Sequence, residues 1–111
     1  MKGDVMPKYL IQASYTAEGL KGLHKDKASG RKTAVAAAAS AAGGKLEAMY
    51  FAFGADDVIC ILDMPDNVTA SALSLAVSAA GSVHIRTTPL MTIEETDRAL
   101  AKSIAYRAPG K

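Results

Sequence analysis

The sequence predicts an α+β domain of the ferredoxin-like kind, βαββαβ with a four-stranded antiparallel sheet and one extra C-terminal helix. Three observations lead there. Four short runs rich in aromatic, β-branched and other apolar residues read as strands. Two alanine-rich or serine-rich stretches, each ended by glycine, separate the first strand from the second and the third from the fourth. The middle two strands are joined by a short turn, so they form a hairpin.

Each element has a local reason. Lys8 to Tyr15 is strand-like and ends at Thr16, a helix-capping residue. A helical turn or two follows to about His24, then the charged segment Lys25 to Gly30. An alanine-rich helix then runs from Arg31 to Ala42, so the first helical region is expected to be interrupted. Alanine has the highest helix propensity, and Gly43-Gly44 tolerates the left-handed geometry of a helix end. Lys45 to Phe53 and Asp57 to Met64 are two strands around Gly54-Ala55-Asp56. Asp66 or Asn67 caps a helix from Val68 to Ala80 that Gly81 closes, and Val83 to Leu90 is the fourth strand. Thr92 and Glu95 match the capping-box spacing, which predicts a last helix to about Tyr106. The domain spans residues 8–106, with tails at 1–7 and 107–111.

Composition sets bounds on function. With 111 residues, half of them apolar and 22% charged, the chain has the size and make-up of one folded domain. A net charge of +2 gives no field for general nucleic-acid binding. Five basic residues, Lys21, Lys25, Lys27, Arg31 and Lys32, crowd around the single acid Asp26. They read as a solvated segment, or else an anion-binding or docking patch, but lack the interleaved aromatics of a nucleic-acid surface. Cys60 is the only cysteine, so no intrachain disulfide forms, and with no signal-peptide pattern at residues 1–7 the expected home is the cytoplasm. The uncharged run from Asn67 to Ile85 is too rich in serine, threonine and glycine for a membrane span. Two histidines and one cysteine, far apart in sequence, offer no metal site. No glycine-rich phosphate loop or nucleophile motif is present, and no cofactor is expected.

Alternation sorts each strand into two faces. Tyr9, Ile11, Ala13 and Tyr15 are assigned to the helices, with Leu10, Gln12 and Ser14 opposite. Val58, Cys60 and Leu62 also go under the helices, because the reverse choice would bury Asp63 without a partner. Strict alternation in the second strand puts Leu46, Ala48, Tyr50 and Ala52 inward and Glu47, Met49, Phe51 and Phe53 outward. The open face then gathers Leu10, Met49, Phe51, Phe53, Ile59 and Ile61, which is too apolar for water. A second copy covering it is the economical solution, so the chain is expected to be a homo-oligomer. A ligand-filled groove or a C-terminal helix folded over the face are the alternatives.

Taken together, Tyr9-Leu-Ile-Gln-Ala-Ser-Tyr-Thr16, Glu18-Gly19-Leu-Lys-Gly22, Gly43 through Gly54, Asp57-Val-Ile and Val83 to Thr88 resemble the GYD domain family over residues 7–95. The resemblance implies a fold of the dimeric α/β-barrel type, in which two ferredoxin-like sheets pack face to face. Relatives in that superfamily imply cofactor-independent isomerase or monooxygenase-like activity. Gly54 and Asp57 match the family pattern, while Asp56 stands where tyrosine is expected.

Candidate chemistry centres on the polar part of the open face. His84 and Arg86 lie two apart on one strand face and are expected beside Gln12. Such a trio suits a carboxylate or enolate, with arginine pairing the charge and histidine moving a proton. The competing reading is an interfacial polar cluster, with Glu47 and Asp63 balancing Arg86. Asp57 is either a ligand contact or an aspartate bonding turn amides. Two functions therefore stand: an oligomer binding a small organic molecule at this face, or a non-catalytic oligomerisation or regulatory module.

Overall fold

A computed structural model describes residues 6–111; of the expected N-terminal tail, residues 1–5 lie outside the described residues. The elements run β1 (Lys8–Tyr15), α1 (Ala17–Ala41), β2 (Lys45–Phe51), β3 (Val58–Asp63), α2 (Asn67–Ala80), β4 (Val83–Pro89) and α3 (Ile93–Ala101). The four strands form one antiparallel sheet in the order β2-β3-β1-β4, the ferredoxin-like arrangement. β1 and β3 are central, and β2 and β4 are the edges.

The caps are made by the residue types that the sequence placed there. The Thr16 hydroxyl accepts from the Gly19 amide at 3.1 Å and the Asp66 carboxylate from the Thr69 amide at 2.8 Å. Thr92 and Glu95 form a reciprocal capping box at 3.0 and 2.8 Å. Gly81 ends α2 in the left-handed region at φ 78°. α1 is interrupted as expected, and the break is at one residue: Lys27 has φ 64° and ψ 167°. That conformation is nearly exclusive to glycine.

Tyr9, Ala13, Val58, Cys60 and Leu62 on one face of the sheet form the core with Met64, Ala39 of α1 and Ala70 of α2. The alanines let both helices approach the strands closely, and the Tyr9 hydroxyl stays satisfied by donating to Asn67 at 2.5 Å. α1 lies against β1 and β2, whereas α2 lies against β4. The two helices thus cover different halves of the sheet.

Two expectations are corrected here. The last helix ends at Ala101 instead of Tyr106, because every residue of α3 is solvent-exposed and no packing extends it through Ser103, Ile104 and Tyr106, which are weak helix formers. Nor does α3 fold over the open sheet face. Its first turns border a hollow with Met6, Pro7 and Lys8 at the start of β1, and all its residues are exposed.

The second correction concerns β2. Lys45 and Leu46 pair with Asp63 and Leu62, but the next partners are Ala48 with Ile61 and Met49 with Cys60, so Glu47 is an extra residue in a β-bulge. One inserted residue moves every later side chain to the opposite face. Met49 and Phe51, assigned to the open face, therefore point to the helices. Met49 packs against the core, and Phe51, 40% exposed, borders a hollow with Leu23 and Ala28 of α1. Ala48 and Tyr50 take their places outside. The large apolar residues at 46, 49 and 51 step by three and then by two, which is the sequence signal that strict alternation overlooks.

Candidate functional site

The open face has an apolar middle and two polar ends. Leu10, Ile59, Ile61, Ala48 and Tyr50 lie side by side across β1, β3 and β2 by register. Tyr50 is 72% exposed. Phe53, expected on this face, lies beyond the end of β2 in the hairpin loop and is wholly exposed.

At one end Lys8 donates to Asp63 at 2.8 Å and also bonds Glu47, the bulge residue. Both hydrogen bonds, that to Asp63 foremost, hold the ammonium pKa above its ordinary value. Glu47 and Asp63 thus balance Lys8, not Arg86.

At the other end the hairpin loop 52–57 folds back against β1 and β4. Gln12 and Arg86 face each other in register, and both donate to Asp56: Gln12 Nε2 at 3.2 Å, and Arg86 Nη2 at 2.9 and 3.1 Å to the two carboxylate oxygens. Asp56, the residue standing in for the family tyrosine, is the acid that neutralises Arg86. His84 shares the face but sits opposite Ser14, exposed and without a hydrogen bond among the described residues. The structure brings Gln12 and Arg86 together as expected and adds Asp56, which sequence reasoning did not place in the group.

Asp57 has a different task. Its carboxylate accepts from the Tyr15 amide at 2.8 Å and its own amide donates to Ala13 O at 2.8 Å, while its carbonyl accepts from Ala52 N at 2.8 Å. The first two bonds fasten the loop to the end of β1, and the third closes the loop on itself. Ser14 Oγ adds a bond to the Ala55 carbonyl at 2.9 Å. The Asp57 carboxylate thus satisfies an amide at the end of β1 and not one in its own turn.

Among the described residues no group of three His, Cys, Asp or Glu is arranged to hold a metal, and no helix is long and apolar enough to cross a membrane. Cys60 is buried in the core, and burial pushes its thiol pKa up, opposite to what a reactive cysteine needs.

Sheet order, helix placement and the fastened hairpin loop define a ferredoxin-like α+β domain with one face of its sheet uncovered. The chain belongs to the GYD domain family, whose model matches residues 9–100 and so takes in everything from β1 to the end of α3 but one residue at each end. Neither a search of curated proteins nor one of solved structures finds a match.

Proposed function

We propose that this GYD-domain protein acts as a cytoplasmic homo-oligomer assembled on the open face of its sheet, with that face serving association and not ligand binding. The carrying observation is the band Leu10, Ile59, Ile61, Ala48 and Tyr50, flanked by the ion pairs Lys8–Asp63 and Arg86–Asp56. Apolar side chains gain from a second apolar surface, whereas the satisfied ion pairs at either end need nothing from it.

A small organic molecule on this face, and with it isomerase or monooxygenase-like chemistry, would gain the Gln12 amide and Arg86 Nη2 only by displacing Asp56. Association needs no such displacement. By area the sheet face falls short of a standard interface on its own. Four strands about 4.8 Å apart and about seven residues long offer roughly 450 Å² of sheet, whereas a standard interface buries about 800 Å² per partner. The C-terminal segment supplies further apolar surface, since Ile93, Leu100, Ile104 and Tyr106 are each more than three-quarters exposed.

Light scattering at micromolar concentration tests the proposal. The native chain should have at least twice the monomer mass, and Ile61→Glu should lower that mass while keeping the circular dichroism of the fold. A native chain that stays monomeric throughout would overturn it.

A further inference from the structure

On the opposite face from the association surface, the two helices leave a gap. Because α1 rests on β1 and β2 and α2 on β4, a cleft of about 140 Å³ opens between them above the sheet. Its lining is almost wholly apolar. Ile11, Val35, Leu73, Val77 and Ile85 all border it, and each is only half-buried although it lies beneath or between the helices. Well-packed interiors contain few such spaces, and side chains bordering one forgo contacts they would otherwise make. An apolar cavity of about 150 Å³ is large enough to take a benzene ring.

The cleft has one charged neighbour. Arg31 of α1 borders it and also borders an adjoining, more polar hollow lined by Glu18 and Asp26. Arg31 approaches Asp26 only to 3.6 Å, too far for a charge-assisted hydrogen bond, and its guanidinium makes no hydrogen bond among the described residues. Free donors are therefore held where the apolar cleft meets the polar hollow. Of the other polar side chains on the lining, Tyr15, Cys60 and Ser74, the Ser74 hydroxyl is already engaged with Thr87 Oγ1 at 2.5 Å and with the Ala70 carbonyl at 3.1 Å.

We infer that this cleft is a binding site for a small neutral molecule with a single aromatic ring and one carbonyl oxygen, the ring lying between the helices and the oxygen accepting from Arg31. The volume sets the ring size, and the lining sets its apolarity. The charge follows from the mouth: Glu18 and Asp26 stand on the polar side of Arg31, so an anion would meet two carboxylates for one guanidinium. A neutral acceptor takes the free donor without that repulsion. The site is independent of the open face and of whatever covers it.

Acetophenone, toluene and benzoate are suitable probes, added to the full chain at up to millimolar concentration and followed by the methyl resonances of isoleucine, leucine and valine. Acetophenone should shift Ile11, Val35, Leu73 and Ile85 and leave Ile59 and Ile61 on the other face unmoved. Toluene should shift the same methyls more weakly. Arg31→Met should weaken acetophenone by about fivefold, the worth of one hydrogen bond, with toluene unaffected. Filling the cleft with Ala38→Leu, or with Val77→Leu should that variant lose its fold, should abolish both responses. The inference is overturned if none of the probes moves these methyls, or if the shifts persist in the filled variant. It is equally overturned if benzoate binds more tightly than acetophenone, or if Arg31→Met leaves acetophenone binding intact.

Discussion

Met49 lies opposite Cys60 across β2 and β3 and points at the helices, two residues beyond the bulge at Glu47. That pairing separates two neighbours in sequence by role: Met49 belongs to the core, and Tyr50 to the open face. Met49→Ala should cost about 2 kcal/mol of folding stability, as truncation of a core methionine does. Tyr50→Ser should leave stability within about 0.5 kcal/mol and instead weaken association. Urea unfolding beside light scattering on both variants separates the effects, and a reversed pattern would restore unbroken alternation in β2.

The adjacent aspartates of the hairpin loop should also behave differently. Asp57 satisfies the Tyr15 amide, and that residue is only half exposed to water. Asp57→Ala should cost about 2 kcal/mol, because it leaves a partly buried donor without its acceptor. Asp56 pairs with an Arg86 side chain that is 65% exposed, and such pairs contribute less than about 1 kcal/mol. Asp56 is itself only 15% exposed and also accepts from Gln12, so Asp56→Ala should cost about 1 kcal/mol, less than Asp57→Ala, in a denaturant melt.

Lys27 holds a backbone conformation that side chains avoid, in the middle of α1. Glycine adopts it freely, so Lys27→Gly should stabilise the fold by about 1 kcal/mol after the extra flexibility of the unfolded chain is subtracted. A rise in melting temperature of roughly 4 °C is the expected reading. A fall would mean that α1 is continuous through this point in solution.

The cap of α2 ties stability to acid. The Thr69 amide donates to Asp66 and holds its carboxyl below the ordinary 3.8. A folded pKa lower than the unfolded one means the contribution is complete above the unfolded value and is lost as pH falls through the folded value. Stability should therefore decline below about pH 4. Asp66→Asn keeps an amide-bonding cap without a titrating group, so its stability should change less over the same acid range. Parallel denaturation of the two proteins from neutral to acid pH checks this.

Much of the fold was legible in the chain itself, because caps, glycine stops and strand composition are local properties. Thr16, Asp66, Gly81 and the Thr92–Glu95 box act within a few residues of themselves, and Asp63 could be assigned to the outer face from the cost of burying it. The open apolar face and its members Leu10, Ile59 and Ile61 followed from the same alternation.

Only the tertiary structure decided the rest, since each remaining point depends on where distant segments meet. The bulge at Glu47 is fixed by pairing with β3, and it exchanged Met49 and Phe51 for Ala48 and Tyr50. Asp56 reaches Gln12 and Arg86 only because the hairpin loop folds back over the ends of β1 and β4. The cleft beside Arg31 exists because two helices rest on different halves of one sheet, a separation that no local sequence pattern encodes.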